Sequence, residues 1–153
     1  MTSVTDTVRI GCGAGFAGDR IDSAVELVRH GALDDLVLEC LAERTIALAH
    51  ARRRADPSRG YDLHAEARLR ALLPEAIPRR VRILSNLGAA NPIAAGQLAV
   101  RIAQENGLQC RVAVVTGDDV LHLIDQEAHA LEDGKPLSSH GEIVSANAYL
   151  GAD

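Results

Sequence analysis

The sequence has very few aromatic residues and no tryptophan, and its acidic residues outnumber its basic ones. Only 2% of the 153 residues are Phe, Tyr or Trp, and the formal net charge is −5. Proteins that bind single-stranded nucleic acid stack the bases on aromatic side chains, and nucleic-acid-binding domains in general carry a basic face. The composition therefore argues against nucleic acid as a partner.

Cysteines and long apolar runs are also scarce. The three cysteines, Cys12, Cys40 and Cys110, lack the paired spacing of a disulfide framework. No apolar stretch approaches the roughly 18 residues that a membrane span needs, and residues 1–6 are polar, without the apolar run of a secretory signal. We therefore expect a cytoplasmic protein that does not enter a membrane.

Aliphatic residues take the place of aromatic ones, because hydrophobic residues make up 47% of the chain. A chain of this length suffices for one ordinary domain with a substantial core. We expect a single α/β domain over residues 1–153. The chain stops just after a predicted strand, where a parallel strand normally continues into a covering helix, so we expect a longer natural unit.

Apolar runs alternate with helical patterns along the chain. The apolar runs predict five strands, at residues 8–12, 36–40, 81–85, 110–115 and 143–148. Helical spacing, caps and breakers predict helices at residues 21–31, 43–55, 63–73, 91–107 and 118–131, the third closed by Pro74 and Pro78. This order predicts a predominantly parallel five-stranded sheet with helices on both faces, a Rossmann-like three-layer arrangement. Strand order is open at this point, so an incomplete barrel is the alternative.

Polar residues and glycines gather where the predicted strands end. In open α/β sheets, ligands bind beyond the carboxyl ends of the strands, so we predict Glu39, Asn86 and Asp118 to act as acid, base or orienting groups. The predicted ligand-binding residues are Gly13, Gly15, Gly18, Asp19, Glu43, Arg44, Gly88, Asn91, Thr116, Gly117 and Asn147. Two of these have simpler interpretations, because Asn91 fits a helix cap and Glu43 favours a helix N-terminus.

The glycine-rich turn at residues 13–18 matches the dinucleotide pattern GxGxxG between a strand and a helix. Glu39 closes the next strand about 20 residues further on, where a ribose-binding acid is expected. However, Gly11 already ends the predicted strand, the helix starts only near Ile21, and Asp19 would repel a pyrophosphate. NAD(P) binding is therefore an alternative hypothesis, and nothing else in the sequence requires a cofactor.

No metal site is predicted. Asp118 and His122 stand four residues apart, as do Asp125 and His129. Residues at this spacing share a helix face, and we interpret both pairs as solvated polar pairs.

Five ordered blocks resemble the acyclic terpene utilisation (AtuA) family. They are RIGCGAGFAGDR at 9–20, LECLAERT at 38–45, NLGAANP at 86–92, VVTGDDVL at 114–121 and SANAYLGA at 145–152. The resemblance implies a role in bacterial breakdown of acyclic terpenes such as citronellol and geraniol, near acyl-CoA enzymes. It also implies that this chain is the N-terminal portion of a longer architecture, and it supplies no defined reaction or catalytic residue.

Three hypotheses follow. The first is an enzyme, or half of one, that acts on a small anionic or acyl-type ligand. The second is an NAD(P)-binding oxidoreductase module. The third is a non-catalytic fragment that pairs with a C-terminal partner segment or forms a homo-oligomer.

Overall fold

The computed structural model describes residues 7–148, which form three strands and four α-helices. In chain order these are β1 (Ile10–Ala14), α1 (Ile21–His30), β2 (Asp35–Leu38), α2 (Glu43–Ala55), α3 (Ala65–Arg79), β3 (Arg82–Ser85) and α4 (Pro92–Glu105). Two 3-10 turns follow, at Leu121–Leu123 and Leu137–His140. The predicted α/β class and the first three strands are confirmed, with strand boundaries shifted by one or two residues.

The strands form an all-parallel sheet in the order β1-β2-β3. Cys12 pairs with Val37, and Val37 with Leu84, so these three side chains share one face of the sheet. A bulge between Cys12 and Ala14 shifts the register as β1 leads into the glycine-rich loop.

Helices α1, α3 and α4 share one core with a single face of the sheet. Leu36 and Leu38 of β2 are 0% and 1% exposed and pack in this core with Ala24 and Val28 of α1. The helix lies very close to β1, since a Cβ added at Gly13 would lie 2.8 to 3.1 Å from side chains of β2 and α1. Only glycine permits this approach.

The opposite face of the sheet carries exposed side chains. Ile10 is 66% exposed and Leu84 is 51% exposed. Helix α2 does not cover this face, because its buried residues Ile46 and Ala49 pack against Ala90, in the loop after β3. The prediction of helices on both faces is therefore not met within residues 7–148, and the incomplete barrel stays a prediction.

The prediction of five strands was wrong for the part of the chain described. Residues 110–115 and 143–148 form no strands there, and within these two ranges the pairing is limited to one isolated antiparallel bridge, from Asn147 to Asp119. A strand requires a partner ladder, and residues 110–116 instead run along α4, where Val114 Cγ2 would lie 2.6 Å from a Cβ added at Gly96.

The helix predicted at residues 118–131 is also absent. Only the 3-10 turn at Leu121–Leu123 forms, and Leu131, the last residue of the expected apolar stripe, is 100% exposed. An isolated helix of this length is marginal without a packing partner, and none of residues 118–131 is fully buried.

Helix α3 continues beyond its predicted end through both Pro74 and Pro78 to Arg79. A proline inside a helix costs about 3 kcal/mol. The buried stripe of Leu69, Leu72 and Ala76 offsets that cost by anchoring α3 against its neighbours.

No helix within residues 7–148 is long and apolar enough to cross a membrane.

Candidate functional site

Glu39 and Asn86 meet where β2 and β3 end. The Asn86 side chain donates from Nδ2 to Glu39 Oε1 at 2.8 Å and accepts the backbone N–H of Cys40 at its Oδ1 at 2.7 Å. The N–H of Leu41 also donates to Glu39 Oε1, at 3.0 Å. The structure thus brings together two of the three predicted catalytic residues, which lie 47 positions apart in the chain.

These contacts fix the orientation of both side chains. Glu39 Oε1 accepts two hydrogen bonds, while its Oε2 accepts none from residues 7–148. Asn86 keeps one N–H of its amide for a further partner, since an amide nitrogen carries two. A held carboxylate with one free oxygen can accept a proton or a hydroxyl group from a ligand.

The glycine-rich loop after β1 is closed by its own acid. Asp19 Oδ2 accepts the backbone N–H groups of Gly15 and Phe16, at 2.8 and 3.0 Å. These amides are the donors that a pyrophosphate would need, and α1 begins only at Ile21. The loop geometry gives the dinucleotide hypothesis no support, and NAD(P) binding stays a prediction.

A buried arginine holds the same loop from beneath. Arg68 of α3 is 0% exposed, and its Nη2 donates to the carbonyls of Ala17 and Asp19 at 2.8 and 2.9 Å. Its Nε and Nη1 are buried without a partner among the described residues. Such unpaired buried donors are costly, so Arg68 is held there by the packing of α3 and by its two bonds to the loop.

A cavity of about 1050 Å³ lies beside β3 and is bounded on its other side by residues 110–116. Its polar lining at the carboxyl end of β3 consists of Ser85, Asn86, Gly88, Thr116 and Asp118. The aliphatic lining includes Val37, Leu41, Leu84, Val112 and Val114. Four of the predicted site residues therefore line one cavity, and Glu39 is joined to it through Asn86.

Asp118 is held at this end by the last described residues. Asn147 Nδ2 donates to Asp118 Oδ2 at 3.0 Å, and the N–H of Ala148 donates to the Asp118 carbonyl at 2.7 Å. The neighbouring Asp119 lies 3.8 Å from Arg53, which also donates to the carbonyl of Ala90. These contacts place Asp118 close to the loop that follows β3.

Other predicted residues lie apart from the cavity. Asn91 is buried and caps α4, accepting the N–H of Ala94 at 3.3 Å, while its Nδ2 donates to the carbonyls of Pro57 and Arg59. Its contacts are those of a cap and loop tie. Glu43 and Arg44 are exposed on the first turn of α2. Gly13 lies within β1, and Gly15, Gly18 and Asp19 belong to the loop that follows it. Gly117 adopts φ 117° between the two cavity-lining residues Thr116 and Asp118.

The cysteines and acids show no further chemistry. Burial raises the pKa of the Cys40 thiol, and the charges of Asp62 and Glu39 add to this effect against that of Arg68. Within residues 7–148, no group of three or more His, Cys, Asp or Glu side chains is arranged to hold a metal ion.

Comparison with known families identifies one relationship. A model of the family described as "Acyclic terpene utilisation family protein AtuA" matches residues 8–153, essentially the whole chain. The chain belongs to this acyclic terpene utilisation family. The matched range includes β1 to β3 and the cavity, and the part of the fifth block after residue 148 lies outside the described residues. No curated protein and no solved structure matches the chain significantly.

Within this family member, sequence reasoning missed the buried Arg68 and two arginines that line the cavity, Arg80 and Arg111. A signal for Arg68 was present, because it lies on the apolar face of α3 formed by Ala65, Leu69 and Leu72, where a charge is out of place. No comparable signal marks Arg80 or Arg111, since their position depends on how residues 110–116 run past β3.

Proposed function

We propose that this chain is an enzyme, or the part of one, that acts in acyclic terpene breakdown on a small molecule with an acyclic apolar chain. The ligand occupies the cavity beside β3, with its reacting end at Glu39 and Asn86. The observation that carries the proposal is one cavity with aliphatic walls that ends at Asn86, whose amide is hydrogen-bonded to the Glu39 carboxylate.

The cavity has the size and composition of a small-molecule site. Such sites typically enclose about 300–1,000 Å³ and combine apolar walls with a few placed polar groups. The volume of about 1050 Å³ and the side chains of Leu84, Val112 and Val114 suit a flexible hydrocarbon chain. The near absence of aromatic side chains leaves nothing for a planar ring to stack on.

The polar end supplies the groups for proton transfer. Asn86 presents its remaining amide N–H to a carbonyl or hydroxyl oxygen, and Glu39 Oε2 accepts the proton that is released or returned. Asp118, oriented by Asn147, adds a second carboxylate at the same end of the cavity. This division of roles follows ordinary general acid–base catalysis, and a cytoplasmic location stays part of the proposal.

The test is binding of geraniol and citronellol, observed by amide chemical shifts of the isotopically labelled protein. We expect saturable shifts at Asn86, Thr116 and Val114. The Asn86→Ala variant should bind several-fold more weakly, because it lacks a polar contact worth about 1 kcal/mol. Gln109→Ala, which removes an exposed amide outside the cavity lining, serves as the control. Absence of saturable shifts with both alcohols would refute the proposal.

A second candidate is pairing with another polypeptide segment, favoured by the exposed sheet face with Ile10 and Leu84. Sedimentation measurements of the whole chain test it. A monomer at all concentrations that does not bind an apolar fluorescent dye would count against this candidate.

A further inference from the structure

We propose that the cavity beside β3 binds a carboxylate at the end nearest the start of β3, called its amino end, through Arg80 and Arg111. The ligand is then an amphipathic monoacid. Its chain then lies along β3 and its far end reaches Glu39 and Asn86. This inference rests on the proposed function, because it assigns an orientation and a chemical class to the ligand of the same cavity.

Arg80 and Arg111 both line the cavity, and both are exposed. Neither guanidinium makes a hydrogen bond or an ion pair with any other residue between 7 and 148. Arg80 stands just before β3, and Arg111 stands at the start of the segment that runs past it. The two groups are therefore free to bind an anion.

The third arginine in the lining, Arg82, has its charge already balanced. Its guanidinium donates to both oxygens of Asp35, at 2.6 and 2.7 Å, and the charge of Asp34 also acts on it. Asp35 and Asp118 are the acids in the lining, and Asp118 lies at the carboxyl end. The amino end therefore carries surplus positive charge, contributed by Arg80 and Arg111.

The direction of residues 110–116 places Arg80 and Arg111 at the end of the cavity opposite the polar residues at the carboxyl end of β3. Helix α4 leads back from the carboxyl end of β3, and the segment after it returns past Gly96 toward Thr116 and Asp118. The two ends of the cavity are thus separated by the length of β3, which is about 13 Å for four residues.

Only one orientation of an acid suits this distribution of charge. A carboxylate at the carboxyl end would face Asp118, with the charge of Glu39 close behind Asn86, and like charges repel. At the amino end it meets two unpaired guanidinium groups, which suit carboxylates by geometry as well as by charge. An uncharged alcohol gains nothing from either arginine.

The experiment compares citronellol with the acid of the same carbon skeleton, titrated into the whole chain at low salt. We expect the acid to bind roughly tenfold more tightly, as two partly exposed ion pairs would provide. The double variant Arg80→Gln, Arg111→Gln should lose this preference and bind the alcohol unchanged. Gln keeps a flexible side chain at position 80, where φ is 59°. The matched control is Arg101→Gln, an exposed arginine outside this cavity lining.

The outcomes separate the two claims. If acid and alcohol bind equally and the double variant changes neither, the carboxylate subsite is refuted while the proposed function stands. If neither ligand binds, the proposed function itself fails. An equal loss of acid binding in the Arg101 control would show general charge attraction, and would also overturn the subsite. Shorter linear acids should bind more weakly, by roughly fourfold per methylene removed.

Discussion

The Asn86→Asp variant tests the carboxylate–amide pair directly. The new carboxyl group would replace an N–H donor that now lies 2.8 Å from Glu39 Oε1. It can still accept the N–H of Cys40, so the loop connection is kept. What changes is one hydrogen bond to a carboxylate, which becomes a repulsion between two carboxylates.

The magnitude follows from this geometry. Two unit charges about 3 Å apart repel by roughly 1.4 kcal/mol even at the dielectric constant of water. The lost hydrogen bond adds about 1 kcal/mol at this exposed position. We therefore expect the free energy of unfolding at about pH 7 to fall by roughly 2–3 kcal/mol, measured by urea unfolding with circular dichroism.

The loss of stability in the Asn86→Asp variant should be larger at higher pH. Repulsion favours the protonated form of the carboxyl pair in the folded variant, so its pKa lies above the unfolded value. The variant is therefore penalised least at about pH 4 and increasingly as pH rises through that raised pKa. Adding Glu39→Gln removes the repulsion and should restore most of the stability. Equal stability of Asn86→Asp and the unaltered protein at both pH values would refute the pairing.

Three further predictions concern the β1 loop and its surroundings. Gly13→Ala should lower the free energy of unfolding by about 1–3 kcal/mol, because its Cβ would overlap the core; Gly15→Ala, with nothing within 4 Å, should change it little. Iodoacetamide should alkylate Cys40 much more slowly than the exposed Cys110 at neutral pH, since burial raises the pKa of the Cys40 thiol; equal rates by mass spectrometry would contradict this. Arg68→Ala should lower the free energy of unfolding by about 3–5 kcal/mol through the cavity it leaves. Arg68→Met should lower it less, because Met fills the space without unpaired donors. Denaturation curves of the two variants that coincide would contradict this prediction.

The parts of the fold that were predictable are those with local signals. The buried run of β2, the stop at Gly31 and the Asn91-Pro92 start of α4 each reflect a preference within a few residues. The link between Glu39 and Asn86 was also within reach, because the carboxyl ends of parallel strands meet at one edge.

The parts that failed depend on partners distant in the chain. Residues 110–115 have a strand-like composition, yet they form no ladder with β3, the edge strand from which the cavity separates them. Helix α3 passes through Pro74 and Pro78 because its buried stripe outweighs them, a balance that only packing reveals. Asn91 was available as a ligand group by sequence, but the loop at residues 57–59 takes up its amide.

The two sides of the cavity differ in how firmly they are built. No side chain from residue 104 to 148 is fully buried, whereas α3 and α4 contribute buried residues to the main core and Ile83 of β3 packs against it. Segments with few buried contacts open most readily by local unfolding. The cavity therefore has one wall anchored in the main core, and a second wall, residues 110–116, that is held by few buried contacts and is called the soft wall. A ligand that packs against Val112 and Val114 would tighten the soft wall, so that binding energy is converted into order in the C-terminal third of the chain.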